Sequence, residues 1–344
     1  MTNVKTKNFT YFIGIDISKN ELDYAVMQGK SFLFHREALN SSDSISNFIS
    51  ELKTLPKFIM SRAVFCMEET GLYGNHLKST LKKFKANLVI ENASQIKNSL
   101  GTLRGKNDKI DSIRIAQYAY TNRELLKIHI GKRKELLKLS GLFALRNRLL
   151  SVLVALKIPL KEQKTFIKAG NQKDIIIACK KSLAALKADI ESIDNSIDQL
   201  IASDENIKRL YQIITSVPNV GRITAIQIII STNEFIDIHN PKKFACYSGV
   251  APFKVESGLF KGKSRVSHMA NKKMKALLHI CAIGSIRRNQ LFNAYYERKI
   301  GEGKHKMAVI NAVRNKIILR IFACLNQDRL FEKKHVSIHE LQQV

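Results

Sequence analysis

Strand-like segments occupy only the first part of this 344-residue chain, and that asymmetry restricts the folds open to it. Tyr11 to Ile17, Leu22 to Gln28 and Ser31 to Phe34 are short β-like runs separated by turn residues, which predicts a three-stranded meander. Helices and strands then alternate along the chain. This order predicts an α/β domain over residues 9–130, in which helices cover a mixed sheet. The later predicted elements are helices at 44–52, 73–84 and 108–120 and strands at 63–67 and 87–90.

Strand signals vanish from about Gly131 to Ile207. One segment carries apolar residues in alternating steps of three and four, which indicates a heptad seam. A second helix is predicted from Lys134 to Lys157, ending at Pro159, with a polar loop over 161–173. Residues 131–208 therefore read as an all-α hairpin or an intermolecular coiled coil, or as a packed helical domain with no oligomeric role. The seam consists of Leu183, Leu186, Ile190, Ile193, Ile197 and Leu200.

Residues 209–330 are predicted to form a mainly α C-terminal domain, followed by a flexible tail over 331–344. Helices are expected at about 272–298 and 306–326. Within this region, Thr215 to Ala225 resembles a helix–hairpin–helix element, in which Pro218 and Gly221 shape a tight turn. The N–H groups that begin the second helix can hold a phosphate without reading base sequence. A plain helix–turn–helix packing unit is the alternative.

The charge balance indicates a polyanionic partner. The chain has 57 Lys and Arg against 29 Asp and Glu, a net charge of +28, and nucleic acid is the commonest partner of so basic a protein. Nine Lys and Arg but one acid, Glu256, lie between Pro241 and Lys275. We expect nucleic-acid contacts from Lys106, Asn219, Gly221, Arg222, Lys254, Lys261, Lys263, Arg265, Lys272 and Lys273.

A cytoplasmic protein with no membrane partner is the expected setting. No apolar run approaches the roughly 18 residues that span a bilayer, and Met1 to Lys7 lacks the apolar core of a signal peptide. The five cysteines are scattered without zinc-finger or redox spacing, which predicts reduced thiols in the core.

Four carboxylates suggest a metal site when they are taken as a set. Asp16 interrupts an apolar strand, Glu68 ends another, and Asp108 and Asp111 share a face at the start of a helix. Singly, each has an ordinary explanation as a turn cap, a strand end or a helix-dipole residue. If strand ends and helix bring all four together, hard oxygen ligands without His or Cys favour Mg²⁺ or Mn²⁺. Two such ions would suit phosphoryl transfer.

Three segments carry a family resemblance. In order and spacing, Phe12 to Lys19, Met67 to Tyr73 and Lys106 to Asp111 resemble the motifs of DEDD-type insertion-sequence transposases. The resemblance implies a RuvC-like, ribonuclease H-like catalytic domain. It also implies a metal-ligand role for Asp16, Glu68, Asp108 and Asp111. Glu68 is preferred to its neighbour Glu69 because the latter position is usually small in the family.

The C-terminal region is similar to the serine-containing domain of the same transposases through Tyr247 to Pro252, Glu256 to Gly258 and Arg265 to Lys273. The resemblance implies that Ser257 is the nucleophile and forms a phosphoserine–DNA intermediate. Ser248 is the less favoured serine. Without the family, Ser257 would be an ordinary turn residue, and the sequence identifies no base to activate it.

The resemblance also implies partners: donor and target DNA, a structured noncoding guide RNA, and further copies of the chain in a homodimer or homotetramer. The seam from Leu183 to Leu200 is the expected place for part of the contact between copies. Two other functions stay open. One is a RuvC-like, structure-specific nuclease that uses water as nucleophile, and the other is a nucleic-acid-binding relic without catalysis.

Overall fold

A computed structural model describes residues 8–99, 107–166, 169–254, 256–257, 260–262 and 264–332. The chain divides into two compact units, Met1–Gly131 and Lys132–Val344. The second unit holds both the helical middle and the C-terminal region. The finer boundary expected between residues 208 and 209 stays a prediction.

The first unit is built on one five-stranded sheet. Its strand order is β3-β2-β1-β4-β5, with β2 antiparallel to both neighbours and β1, β4 and β5 parallel. β1 is buried on both faces, as its nearly continuous apolar sequence requires. β3 runs five residues beyond its predicted end. The strands are β1 (Tyr11–Ile17), β2 (Glu21–Gln28), β3 (Ser31–Leu39), β4 (Ala63–Glu68) and β5 (Asn87–Glu91).

Helices cover both faces of this sheet, and the alternation of side chains along β1 separates the two layers. Ile13 and Ile15 pack with the helices α1 (Ser42–Lys53) and α2 (Asn75–Lys83). Phe12, on the other face, packs with α3 (Ala93–Ser99) and α4 (Asp108–Thr121). Asp16 shares the face of Phe12. Because side chains alternate along β1, the carboxylate of Asp16 points to the side of the sheet that α4 covers.

Among its described residues, the second unit consists of helices, their connections and four two-residue strands. The strands pair as β6 with β9 and β7 with β8. The predicted helix 272–298 is divided at Asn289, which caps the next helix by accepting from the N–H groups of Leu291 and Phe292. The elements are α5 (Lys134–Phe166), α6 (Ala169–Ser203), α7 (Glu205–Ser216), α8 (Arg222–Thr232), α9 (Pro241–Tyr247), β6 (Pro252–Phe253), β7 (Glu256–Ser257), β8 (Phe260–Lys261), β9 (Arg265–Val266), α10 (Lys272–Arg288), α11 (Gln290–Gly301) and α12 (Lys306–Asn326).

The long helices α5 and α6 pack against each other, and two expectations about them were wrong. α5 continues through Pro159 to Phe166, and α6 begins at Ala169, so most of the predicted loop is helical. Pro159 is exposed, so water can satisfy the carbonyl that it leaves unpaired. The α6 seam is buried within the chain at Ile197 and Leu200 and only partly buried toward Leu183.

α5 is the one helix among the described residues that is long and apolar enough to cross a bilayer by length and composition. Within Lys134–Glu162, an 18-residue window has a mean hydropathy of 1.5. A core helix meets the same criteria. Leu136, Leu139 and Phe143 of α5 pack into the core of the second unit, and Arg146 forms an ion pair with Asp194 of α6.

An ion-pair cluster between the exposed Arg133 and two more buried carboxylates joins the start of α5 to the rest of this unit. The Arg133 guanidinium donates two hydrogen bonds of 3.0 Å to Asp204 and bonds of 2.9 and 2.5 Å to Glu234, whose side chain is only 2% exposed. Asn206 donates a further bond to Glu234. A carboxylate so buried would be costly without these partners. The cluster and the shared apolar core both link the helical middle to the C-terminal region.

The cysteines are free thiols. Cys66, Cys281 and Cys324 are buried, whereas Cys246 is exposed, so the expectation of core thiols was wrong for Cys246.

Gly14 sets how closely α4 approaches β1. A Cβ atom at this position would lie 2.1 Å from the Ser112 carbonyl oxygen and 2.2 Å from the Ala116 nitrogen. Because both are backbone atoms, α4 would have to move as a whole. We expect Gly14→Ala to lower the free energy of unfolding by about 3 kcal/mol in urea denaturation.

Gly141, inside α5, is the control for that substitution. A Cβ atom added at Gly141 would meet no other atom within 4 Å, and alanine favours helix. Gly141→Ala should raise the free energy of unfolding by about 0.5–1 kcal/mol. Equal stability of the two variants would contradict this account of the contact between α4 and β1.

Candidate active site

A row of five carboxylates crosses the sheet of the first unit. Asp16 pairs with Asp23 across β1 and β2, and Asp23 pairs with Glu37 of β3. On the other side, Glu68 pairs with Glu91 across β4 and β5. Asp16 and Glu68 each lie one residue beyond the last paired positions of the parallel strands β1 and β4, Ile15 and Met67. Paired residues point to the same face of a sheet, so the row lies on the α4 side.

The first turn of α4 brings two more carboxylates to this row. Asn107 begins the helix by accepting a 2.8 Å hydrogen bond from the Lys109 N–H. Burial raises the pKa of Asp16, and the negative charges of Asp108, Asp111 and Asp23 raise it further, against a lowering by the Ile17 N–H. Asp108 and Asp111 are therefore close enough to Asp16 to repel its charged form.

Glu68 and Glu91 form the second part of the site. Burial raises the pKa of the Cys66 thiol, and the charges of Glu91 and Glu68 raise it further, so both carboxylates lie near this buried residue. Glu91 accepts a 3.1 Å hydrogen bond from the Tyr118 hydroxyl of α4. Burial, followed by the charge of Glu91, raises the pKa of Tyr118 to about 12. Tyr118 therefore stays protonated and holds Glu91.

The four predicted ligands share one edge of the sheet, but their carboxylates are not drawn together as closely as the sequence led us to expect. In the part of the chain that the structure describes, no three His, Cys, Asp or Glu side chains are close enough to hold one ion. Asp111 is turned toward Arg114, with 2.8 Å between Oδ1 and Nη1. Asp16 Oδ1 accepts from the Ile17 N–H at 3.0 Å. Carboxylates repel one another unless a cation lies between them.

The donor set nevertheless fits a divalent cation. Asp16 is half-buried among like charges, and a hard cation would relieve both the burial and the repulsion that raise its pKa. Carboxylates at a strand end and in the first turn of a helix offer hard oxygen donors. We therefore retain Asp16, Glu68, Asp108 and Asp111 as the residues that would hold the metal.

Sequence reasoning missed Glu37 of the carboxylate row and three further residues of this site. Asp23 and His35 form a pair with 2.7 Å between Oδ1 and Nε2, next to Asp16 in the sheet. Glu91 lies beside Glu68. Asp23 could have been found by the signal that marked Asp16, because each is an acid inside an apolar strand. Glu91 could have been found by the signal that marked Glu68, because each is an acid that directly follows an apolar strand segment. Only the strand register brings these residues into the row.

The two serines considered as nucleophiles, Ser257 and Ser248, differ in their access to solvent. Ser257 lies in β7 and is exposed. Ser248 is fully buried, and its hydroxyl donates to the Phe244 carbonyl at 2.8 Å. A buried hydroxyl engaged in a helix C-terminus cannot reach a DNA phosphate. The geometry thus removes Ser248 as an alternative nucleophile.

The predicted nucleic-acid contacts have different surroundings. Lys254, Arg265, Lys272 and Lys273 are exposed. Lys261 lies in β8, and Lys106 and Lys263 lie outside the described residues.

The predicted hairpin between α7 and α8 contains Asn219 in a left-handed conformation, with φ 65°. Gly221 is the N-cap residue of α8. Arg222 is paired with Asp194 and Asp198 of α6 at 2.6 and 2.9 Å, so this geometry does not support the phosphate contact predicted for it.

Two family models match the chain. A DEDD transposase model of the IS110 type matches residues 13–165, and a model described as the transposase IS116/IS110/IS902 family matches residues 211–297.

Similar proteins include the pilin gene-inverting proteins of Moraxella bovis and Moraxella lacunata. The first is 25% identical to this chain over 340 residues and the second 25% identical over 338 residues. Each match covers 96% of this chain and 99% of the relative. A 43.6 kDa protein of insertion element IS110 from Streptomyces coelicolor is 23% identical over 177 residues, which covers 51% of this chain and 42% of that protein.

Proposed function

Because the chain belongs to the IS110 family of DEDD-type insertion-sequence transposases, we propose that it exchanges DNA strands through a serine–DNA intermediate. Membership makes it a DNA transposase or recombinase with a ribonuclease H-like α/β domain that depends on a divalent metal. We further propose that the metal is Mg²⁺ or Mn²⁺, that Ser257 is the nucleophile, that a guide RNA selects the DNA sites, and that two or four copies of the chain act together.

The proximity of Asp16 to the charges of Asp108 and Asp111 carries the proposal for the metal site. Burial raises the pKa of Asp16, the charges of Asp108 and Asp111 raise it further, and cations that prefer oxygen ligands, Mg²⁺ or Mn²⁺, would offset both effects. When bound, such ions stabilise negative charge on the phosphate under attack and favour the attacking oxygen. Glu91, held by Tyr118, keeps the neighbouring edge of the sheet acidic.

Ser257 would supply the nucleophile. Its Oγ would form a bond to the scissile phosphorus as the bond from phosphorus to a deoxyribose oxygen breaks; the serine proton passes to solvent and the departing deoxyribose oxygen takes a proton from solvent. A hydroxyl from the second DNA site would then attack the phosphoserine, lose its proton to solvent and release Ser257, whose Oγ takes a proton from solvent. Ser257 is exposed on a two-residue strand within a basic segment, which suits this role. The surrounding Lys and Arg side chains would stabilise the negative charge that develops on the phosphate during attack.

The partners follow from the same family. DNA is the substrate, and we propose that a structured noncoding RNA selects the sites, since basic residues are spread widely and suit backbone contacts. Two or four copies would act together in the cytoplasm. The relatives that match 96% of the chain are named for inverting a pilin gene, so inversion of a segment between two sites is a product to test beside transposition.

Recombination in vitro tests the proposal. We expect purified protein, transcribed flanking RNA and plasmids that carry the element ends to give recombinant joints with Mg²⁺. Chelation by EDTA should reduce the joints about 10³-fold, because the metal contributes several kcal/mol to the transition state. Added Mg²⁺ or Mn²⁺ should restore them. Quantitative PCR across the joints is the measurement.

The controls separate the remaining functions. Omission of the RNA should abolish the joints if the RNA selects the sites. Linear ends without joints would favour a nuclease that uses water, and undiminished joints in EDTA would contradict the metal site.

A further inference from the structure

An open cavity of about 500 Å³ lies beside the hairpin between α7 and α8. Asn219 and Gly221 of the hairpin line one side. His279, Arg287 and Arg288 of α10 line the other. Both arginines are exposed, and neither forms an ion pair with any residue that the structure describes. The cavity therefore has a cationic rim and no carboxylate in its lining.

A buried arginine lies behind this cavity. Arg314 of α12 is only 4% exposed, and its Nε has no hydrogen-bond partner. Its other nitrogens contact the Asn311 side chain at 3.3 Å and His279 Nδ1 at 2.5 Å. Among the described residues no carboxylate pairs with Arg314, and burial lowers its pKa. A buried cation left without an anion is costly, and a ligand anion nearby would offset part of that cost.

Arg314 also defines what His279 presents to the cavity. A guanidinium can only donate, so Nδ1 of His279 must accept and the ring proton lies on Nε2. Burial and then the charge of Arg314 lower the pKa of His279, which keeps the ring neutral at pH 7. His279 is therefore a fixed N–H donor in the cavity lining rather than a charge that changes near neutral pH.

The start of α8 adds to the positive electrostatic potential at the cavity. The N-cap residue of this 11-residue helix, Gly221, has no side chain that could cap it and lines the cavity, so the positive end of the helix dipole lies there. We infer that the cavity binds a phosphodiester of a nucleic-acid backbone, with Arg287 and Arg288 holding its oxygens and His279 donating from the interior. The inference rests on the proposed function only for its partner, nucleic acid, and gives the cavity no part in the chemistry. Arginine suits the task because its planar fork matches two phosphate oxygens.

Binding in EDTA, where no strand is cut, tests the inference. Fluorescence anisotropy would compare a 30-bp duplex DNA and an RNA hairpin on the wild-type chain and on an Arg287→Gln/Arg288→Gln variant. We expect about tenfold weaker binding and a salt dependence reduced by about one to two phosphate contacts. The charge-matched control is Lys180→Gln/Lys181→Gln on the exposed face of α6, which should bind within about twofold of wild type.

A second variant fills the cavity without changing charge. A Cβ at Gly284 would meet only Asn219, at 3.7 Å, so Gly284→Leu should fold and project into the cavity. It should also weaken binding about tenfold, and thermal melting would verify the fold of each variant.

The outcomes separate the sources of the phosphodiester and the two proposals. Loss on duplex DNA, on RNA or on both supports the inference and identifies the backbone bound. Binding by both test variants equal to that of the control would overturn it, as would loss in the arginine variant alone, which would place the phosphate on the outer surface of α10. Because no metal is present, these results are independent of whether Ser257 and the carboxylates catalyse strand exchange.

Discussion

A Ser257→Ala protein should bind DNA but form no covalent DNA adduct, with strand exchange reduced by roughly 10⁴-fold or more. Removal of a nucleophile eliminates the reaction path, and the residual rate comes from binding and charge stabilisation alone. Ser257 is exposed on a two-residue strand, so its loss should change the free energy of unfolding by less than about 0.5 kcal/mol. The measurement is a denaturing gel of protein with labelled element-end DNA, in which the adduct migrates as a protein-linked band.

Ser248→Ala is the matched control. The hydroxyl is fully buried and donates to the Phe244 carbonyl, so we expect a loss of stability of about 1 kcal/mol with the covalent band retained. Ser257→Ala should thus abolish the covalent adduct with little effect on stability, whereas Ser248→Ala should lower stability and leave the adduct. A covalent band that survives Ser257→Ala and disappears with Ser248→Ala would refute the assignment.

An Asp16→Asn protein should lose strand exchange by about 10³-fold or more while its thermal stability stays equal or rises. The carboxylate is half-buried beside Asp108, Asp111 and Asp23, and its removal ends a repulsion within the folded protein. The same change deletes a charge that, in the proposed site, would hold the metal, and that loss should cost several kcal/mol in the transition state. The yield of recombinant joints should therefore fall while the melting temperature stays equal or rises. This combination is expected for a charged residue that serves function at the expense of stability.

Asp43→Asn provides the comparison. Asp43 is exposed in the first turn of α1, and its substitution should leave activity unchanged and reduce stability by about 0.5 kcal/mol through the helix dipole. If Asp16→Asn retained activity at the level of Asp43→Asn, the carboxylate row would have no catalytic role.

Local patterns in the sequence were sufficient for much of the first unit. The apolar run of β1 and the capped start of α4 at Asp108 lie where the residues predict them, because strand burial and helix capping depend on a few neighbouring residues. The end of α5 was missed because an exposed proline can be accommodated in a long helix. The division at Asn289 was missed because a cap inside an apolar pattern resembles continuous helix.

The ordered motifs of an IS110-family transposase, the acids at strand ends and in the first turn of α4, and the serine in a basic segment could all be read from the residues alone. Which of these groups lie near one another, and which are buried or already paired, depends on the fold. Strand register placed Asp23 and Glu91 in the carboxylate row, helix packing buried Ser248 and engaged Arg222, and Arg314 was set behind an open cavity. The physical reason is distance along the chain, since pairing, burial and repulsion join residues that no local pattern relates.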